Sequence, residues 1–261
     1  MGQRLKVTSL LFAMFLFTAV SCGDDSTTGT DQPEPPAVPE AVPAEINSSI
    51  FDNNNPTGEN FDLFKQAAIY AETAAAQING GTILGQTYLE FTRSSESEFE
   101  DGTWTWNFTS SQSGFDVSVR TTAEQLQNGF QWDIFVSGTF NGETVNEFSF
   151  LSGFISDDGS TGSWQYFSPG DSDQPILEYQ WEVIDDSQTS FSTIFSGFSS
   201  DDQQRIDYVQ NGADNTLEYT GFSSVPDLVI YWNSESGAGY IDREGEDRQC
   251  WDESFAEVAC S

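Results

Sequence analysis

From about residue 83 to the C-terminus, apolar and polar residues alternate in short runs. Phe115, Val117 and Val119, for example, are each followed by a polar residue. A period of two places successive side chains on opposite faces of a β-strand. Turn-forming pairs separate the runs, namely Asp101-Gly102, Asn128-Gly129, Asn141-Gly142, Asp158-Gly159, Pro169-Gly170 and Asn211-Gly212. This pattern predicts consecutive antiparallel hairpins with one apolar and one polar face.

The runs predict an all-β, mainly antiparallel domain over residues 83–261, with about ten to twelve strands. No long crossover connection stands out between them, which favours a meander. A sheet of this size rarely stays flat and open. We therefore expect the meander to form a barrel or half-barrel, or to split into a sandwich.

One segment before the strands has helical periodicity. Its recurring apolar residues are Phe64, Ala67, Ala68, Ala71, Ala75 and Ile78. Spacings of mostly three and four residues place them on one helix face. Asn60 or Asp62 can cap the start, and Gly80-Gly81 is a stop signal. We predict a helix over about 60–79, within an N-terminal segment 46–82, packed on the sheet as a lid or plug.

The N-terminus has the organisation of a secretory signal peptide. Arg4 and Lys6 precede an apolar run, Val7–Val20, and the small residue Ser21 follows that run. A charged start, an apolar run and a small residue are the three parts of such a signal. The apolar run is shorter than the roughly 20 apolar residues that a membrane-spanning helix needs. A cleaved signal is therefore favoured over a transmembrane anchor.

The tetrapeptide Ala19-Val20-Ser21-Cys22 resembles the lipobox of bacterial lipoproteins. The resemblance covers residues 1–22 and implies that residues 1–21 are a lipoprotein signal peptide. It also implies that Cys22 becomes the N-terminus and carries a diacylglycerol, usually with an acyl chain such as palmitate on its amine. Two or more chains hold a protein stably on a bilayer. We expect an exported protein anchored by lipid on the periplasmic face or surface of a bacterial envelope. An ordinary cleaved signal with an incidental cysteine stays open.

Residues 22–45 are predicted to be a disordered, acidic tether. The segment contains five of the nine prolines in the chain and few large apolar residues. Such a composition buries too little surface to offset the entropy lost on ordering. We expect the tether to hold the folded domain away from the bilayer.

Acidity limits the partners that this chain can bind. Once residues 1–21 are removed, six basic residues remain against 42 acidic ones, a net charge near −36. Nucleic-acid binding is disfavoured because phosphate contacts require Lys and Arg. Either a strongly solvated surface or adaptation to a saline habitat is consistent with this charge.

No resident cofactor is predicted, although weak calcium binding stays open. The acidic turns are Asp157-Asp158-Gly159, Asp171-Ser172-Asp173, Asp185-Asp186 and Asp201-Asp202. None of them has the spacing of an EF-hand loop. With Cys22 set aside, Cys250 and Cys260 form the natural pair for a disulfide, because exported compartments are oxidising.

Catalysis has little support in the sequence. The chain contains no histidine, which removes a Ser-His-Asp triad, a Cys–His pair and histidine metal sites. Neither a Gly-x-Ser-x-Gly motif nor a phosphate-binding loop is present. Two carboxylates can hydrolyse a glycoside, but 42 acidic residues produce such pairs by chance. We predict that the protein is not an enzyme.

The aromatic content, 22 Phe, 8 Tyr and 7 Trp, has two main interpretations. The rings either fill the core of a strongly curved sheet or line a cavity for an apolar ligand. The side chains expected to line such a cavity are Trp104, Trp106, Trp132, Trp164 and Trp181. Sugar stacking on Trp232 or Trp251 is a third interpretation. The sequence thus predicts a non-catalytic envelope module that binds a partner or is structural. A carrier or chaperone of an apolar ligand and a carbohydrate-binding module are the alternatives.

Overall fold

The computed structural model describes residues 33–39, 45–54, 56–112, 115–140, 143–169, 174–196, 203–223 and 225–260. The predicted signal peptide, Cys22 and most of the predicted tether lie outside the described residues. None of the described helices is apolar over a length sufficient to cross a membrane.

The strands form one antiparallel sheet in which each strand pairs with its neighbours in sequence. The strands are β1 (Ser97–Glu100), β2 (Thr103–Gln112), β3 (Phe115–Leu126), β4 (Gly129–Phe140), β5 (Glu143–Ser156), β6 (Thr161–Tyr166), β7 (Leu177–Asp185), β8 (Gln188–Phe195), β9 (Gln204–Asn211), β10 (Asp214–Thr220), β11 (Leu228–Asn233), β12 (Gly239–Arg243), β13 (Gln249–Trp251) and β14 (Glu257–Val258). The edges are β1 and β14, so the sheet is an open meander that is not closed into a barrel.

This architecture confirms the predicted all-β antiparallel meander, in its half-barrel form. The described part of the chain has 14 strands rather than the expected ten to twelve. The strands that the alternation missed are β1, β13 and β14, which have 4, 3 and 2 residues. Runs this short do not contain enough residues to establish a period.

The helical part consists of α1 (Ser49–Asn53), a 3-10 turn (Glu59–Phe61) and α2 (Asp62–Arg93). The predicted end of the helix at residue 79 is wrong, because α2 has 32 residues and continues through Gly80 and Gly81. Two glycines cost a helix about 1 kcal/mol each relative to alanine. Packing of the helical turns that follow the glycines offsets this cost. Leu89 is buried in the core. Gly85 packs closely on the sheet, because a Cβ atom added at this position would lie 2.7 Å from the Tyr166 hydroxyl. Residues 83–93, predicted to begin the β domain, are therefore helical.

Helix α2 lies across the inner face of the sheet, the face that carries the core. Its buried residues on that side are Leu63, Phe64, Ala67, Ala71, Ala74, Ile78 and Leu89. They belong to one hydrophobic cluster with the inward-facing residues of the strands. The small alanine side chains allow the helix backbone to approach the aromatic residues of the sheet closely.

Polar contacts attach α2 to the sheet from one end to the other. At its start, the Leu63 amide donates to Glu257 Oε1 at 3.1 Å, where a carboxylate also complements the helix dipole. In the middle, the Tyr219 hydroxyl donates to the Tyr70 carbonyl at 2.7 Å. Near its end, Thr92 Oγ1 lies 2.7 Å from Thr121 Oγ1. The helix therefore has a fixed position over the sheet.

Part of the predicted tether also contacts the domain. Val38 packs against the hydrophobic core. The Arg93 guanidinium, at the end of α2, donates to the carbonyls of Val38 at 3.3 Å and Pro39 at 2.6 Å. The segment around these two residues thus lies on the domain, whereas residues 22–32 and 40–44 lie outside the described residues.

Two buried threonines on the inner face provide a test of the packing. Thr121 and Thr193 are 1% and 0% exposed. Among the described residues, Thr121 has a hydrogen-bond partner and Thr193 Oγ1 has none. An unsatisfied buried hydroxyl costs about 1–3 kcal/mol. We expect Thr193→Val to raise the free energy of unfolding by about 1 kcal/mol and Thr121→Val to lower it by a similar amount. Urea denaturation measures both, and effects of the same sign would contradict this account.

Candidate functional site

The five tryptophans predicted to line a cavity all lie on the inner face. Trp104, Trp106, Trp132, Trp164 and Trp181 are between 1% and 6% exposed. They belong to the hydrophobic cluster that also contains the inner side of α2. Trp106 and Trp132, for example, stack with ring centroids 5.6 Å apart. In this arrangement the tryptophan rings contact other core side chains, as the filled-core interpretation predicts.

A ladder of stacked rings continues across the inner face. Trp181, Tyr179, Phe191, Tyr208 and Trp232 follow one another with centroid separations of 5.5, 6.3, 6.3 and 6.1 Å. Interplanar angles of 25°, 9°, 13° and 24° make the rings nearly parallel. Stacked pairs stabilise a fold beyond the area that they bury. The ladder therefore stiffens the sheet between β7 and β11.

Hydrogen bonds fix the polar end of this ladder. Tyr208 donates its hydroxyl proton to Asn215 Oδ1 at 2.8 Å and accepts from the Asn47 amide at 2.9 Å. The Trp232 indole donates to the Asn47 carbonyl at 2.9 Å. Burial raises the pKa of Tyr208 to about 12, so its hydroxyl stays protonated at neutral pH. The segment before α1 is thus held on the sheet by buried polar contacts.

The two tryptophans proposed for sugar stacking are core residues. Trp232 is fully buried, and Trp251 is buried with its indole donating to the Gly237 carbonyl at 2.7 Å. A sugar ring has access to neither face. This basis for carbohydrate binding is therefore wrong, and all seven tryptophans of the chain are buried.

Carboxylates in the acidic turns accept hydrogen bonds from residues of the same turn. Asp158 Oδ1 accepts from the Ser160 amide at 2.9 Å and from Ser156 Oγ at 2.8 Å, and these bonds lower the pKa of Asp158 to about 2. Asp185 accepts from the Ser187 hydroxyl and amide, which lowers its pKa as well. Among the described residues, no group of three or more metal-ligating side chains converges. The turns at 171–173 and 201–202 lie outside the described residues, and calcium binding stays a prediction.

The outer face, opposite α2, has a concave region across β5 to β9 that we call the outer trough. Its volume is about 650 Å³. The outward-facing residues that line it are Phe154, Thr161, Ser163, Gln180, Glu182, Ser190, Ser192, Arg205, Asp207 and Val209. Small serine side chains lie between longer ones, and this difference in size produces the depression.

Strand register arranges the lining residues in two rows. In the first, Ser163, Gln180, Ser192 and Asp207 lie opposite one another on β6 to β9. The second contains Thr161, Glu182, Ser190 and Val209. Neighbouring strands are about 4.8 Å apart. Each row therefore repeats side chains at that interval across the trough.

Most polar groups in the outer trough have no internal partner. The side chains of Ser163, Gln180, Glu182, Ser190 and Ser192 make no hydrogen bond to other described residues, and Ser192 Oγ is also shielded from solvent. Shielded polar groups without a partner are uncommon in folded proteins, and each calls for an explanation. The other four side chains, which are exposed or partly exposed, leave donors and acceptors free for a ligand.

One ion pair forms a wall of the outer trough. Arg205 Nη2 lies 2.8 Å from Asp207 Oδ1, and Arg205 Nε lies 2.5 Å from Asp207 Oδ2. The hydrogen bonds to Asp207 raise the pKa of Arg205. Such a bidentate pair has fixed geometry. The pair therefore presents oriented N–H groups and carboxylate oxygens beside the serine floor.

A second concave region lies on the inner side, where α1 and α2 meet β7 to β9. This acidic cleft has a volume of about 750 Å³. Carboxylates surround it, from Glu45, Asp52, Asp185 and Asp186, and its apolar part includes Ile46, Ala75, Val183 and Phe191. Two of these carboxylates are engaged locally, because Asp52 accepts from Ser48 and Asp185 accepts from Ser187. The carboxylates give the cleft a negative potential, but those of Asp52 and Asp185 accept hydrogen bonds from neighbouring serines.

Comparison of the chain with protein-family models, with curated proteins and with solved structures gives no match. The assignment of function therefore depends on the geometry and on the N-terminal resemblance. Sequence reasoning missed the outer trough, although a signal for it is present. Small polar residues occupy outward positions of β6 and β8, in Thr161-x-Ser163 and Ser190-x-Ser192, on either side of Gln180 and Glu182 on β7.

Proposed function

We propose that this chain is an exported bacterial lipoprotein, held on the envelope by lipidated Cys22, whose β domain is a non-catalytic binding module. The outer trough is the observation that carries the binding role. It combines a concave surface with four exposed or partly exposed polar side chains, Ser163, Gln180, Glu182 and Ser190, that make no hydrogen bond to other described residues. Free polar groups that converge in a concave surface are the usual features of a ligand site.

The packing of α2 favours binding at the surface over carriage of an apolar ligand inside. An apolar ligand among the inner tryptophans would require α2 to move away from the sheet. That movement would break the Tyr219–Tyr70 and Thr121–Thr92 hydrogen bonds. It would also expose the apolar cluster to water, at about 25 cal/mol for each Å² of apolar surface. We therefore place the ligand on the outer face.

Four carboxyl groups with lowered pKa values are engaged in hydrogen bonds within the fold. Among the described residues, Asp158, Asp185, Asp214 and Asp252 have lowered pKa values, each chiefly because of hydrogen bonds to its carboxylate. A carboxyl that acts as a general acid near neutral pH needs a raised pKa. Lowered values are typical of carboxylates that stabilise turns.

Replacement of Cys22 tests the anchor. We expect Cys22→Ala to move the protein from the membrane fraction to the soluble fraction and to abolish labelling by a clickable fatty acid, because the acyl chains supply the membrane affinity. Ser21→Ala is the matched control, since it keeps a small residue before the cysteine and should preserve labelling. Membrane binding of Cys22→Ala in the wild-type amount would contradict the anchoring proposal.

Site-specific photocrosslinking tests the binding role in cells. Val209 in the outer trough and Val258 on β14 have similar exposures of 48% and 43%. A photoreactive side chain at Val209 should crosslink to an envelope component, whereas the same group at Val258 should not. Equal crosslinking from both positions, or none from Val209, would contradict a binding site in the trough.

A further inference from the structure

We propose that the outer trough binds a linear, uncharged glycan, an assignment that rests on the proposed binding function. Its hydrogen-bonding chemistry is the first reason. A glycan presents hydroxyl groups, each both donor and acceptor. The trough offers serine hydroxyls of the same dual character, the Gln180 amide, the free Glu182 carboxylate and the Arg205–Asp207 pair.

The spacing of the rows is the second reason. Thr161, Glu182 and Ser190 lie on three successive strands, about 4.8 Å apart from one strand to the next. That interval is close to the length of one pyranose unit. A glycan that crosses β6 to β8 therefore meets a polar side chain at each successive unit. A peptide that added to these strands as a further β-strand would instead require free backbone groups, which pairing with both neighbouring strands has used.

The apolar boundaries of the trough are the third reason. Phe154 lies on β5 at one side and is partly exposed, and Val209 is an exposed apolar residue on β9 at the other. Pyranose rings have apolar C–H faces as well as hydroxyl edges. The two apolar side chains can contact those faces while the serine floor binds the edges.

Charge determines the class of glycan. The chain has a net charge of −34, and the trough adds one unpaired carboxylate, Glu182, to an Arg205–Asp207 pair that is already neutralised. An acidic polysaccharide would be repelled over several ångströms at physiological salt. An uncharged glycan avoids this cost, and its binding should depend little on ionic strength.

Affinity electrophoresis of the full chain in non-ionic detergent tests the assignment. The strong negative charge drives migration in a native gel, so a bound polymer reveals itself by retardation. The probes are hydroxyethyl cellulose, galactomannan, dextran and β-1,3-glucan, with alginate as the anionic comparison. We expect at least one uncharged polymer to retard the protein and alginate to leave its mobility unchanged. Lack of retardation by all four uncharged polymers, or stronger retardation by alginate, would overturn the assignment.

Two variants locate the binding. Ser190→Ile removes a hydroxyl and fills part of the trough without adding a ring, and Gln180→Ala removes an amide without adding volume. We expect each to weaken retardation at least about tenfold, the loss of one good polar contact. Thr105→Ile, on the outer face of β2, is the matched control and should bind as the unaltered chain does. Circular dichroism verifies folding of each variant, and wild-type binding by Gln180→Ala and Ser190→Ile would place the glycan elsewhere.

The two proposals fail in different ways. If Val209 crosslinks to an envelope protein and no uncharged glycan retards the chain, the glycan assignment is wrong and the binding module stands. If Val209 yields no crosslink in cells, the proposed function is contradicted, whatever polymers bind in the gel.

Discussion

Trp132→Ala should lower the free energy of unfolding by about 3–5 kcal/mol, the usual cost of truncating a buried aromatic side chain. Trp132 is 1% exposed and stacks on Trp106 on the inner face. Removal of the indole leaves a cavity that the sheet and α2 close only partly. The variant therefore loses the free energy gained by burying the ring and the van der Waals contacts of the ring with its neighbours. Urea denaturation followed by circular dichroism measures the change.

Leu126→Ala is the control for this prediction. Leu126 ends β3 in the same hairpin, but 43% of its surface is exposed. Substitutions at exposed positions of this kind usually change the free energy of unfolding by no more than about 0.5 kcal/mol. A small cost for Trp132→Ala, similar to that of the control, would indicate a residue that lines open space. The result therefore separates a filled core from a ligand cavity.

Removal of the disulfide should have the second largest effect. The Cys250–Cys260 bond closes a short loop with a sequence separation of 10. Loop-closure entropy predicts a loss of about 3 kcal/mol for the double variant Cys250→Ser, Cys260→Ser. The loop also contains β14, whose Glu257 accepts a hydrogen bond from the Leu63 amide at the start of α2. We expect the N-terminal turn of α2 to lose this cap along with the crosslink.

Denaturation curves with and without reductant, together with the double variant, measure this effect. Glu257→Gln is the matched control, because the amide keeps an acceptor for Leu63 and removes only the charge. Its expected cost is about 0.3–1 kcal/mol, the value of one charge at a helix terminus. If mass spectrometry shows full reduction and the midpoint does not change, the disulfide has no part in holding the C-terminal hairpin.

The local alternation of apolar and polar residues was sufficient to predict most of the strands. In β7, for example, Leu177, Tyr179 and Trp181 face inward and the residues between them face outward, as the alternation predicts. The pattern failed where tertiary contacts override local preference. Gly80 and Gly81 predict a helix end, but packing of Leu89 and the close approach of Gly85 to Tyr166 extend the helix to Arg93.

The outer trough was harder to predict from the sequence than the fold. Of the two interpretations of the aromatic residues, the ligand cavity assigned contacts to tryptophans that the structure places in the core. The polar residues of the outer trough are of the same types as those on the solvent face of most strands. Ser163 and Ser192 are 29 positions apart in the chain, and only the pairing of β6, β7 and β8 brings them into one row.

The sequence by itself determined the strand-rich meander, the pairing of Cys250 with Cys260 and the presence of an alanine-faced helix. These features depend on residues close together in the chain: alternation, turn pairs, cysteine count and helical spacing. The sequence also predicted that the helix packs on the sheet, but the tertiary structure alone decided that α2 continues to Arg93 over the inner face and that the outer face is concave at the serine rows. Both depend on register and twist accumulated over many strands, which no local window of sequence contains.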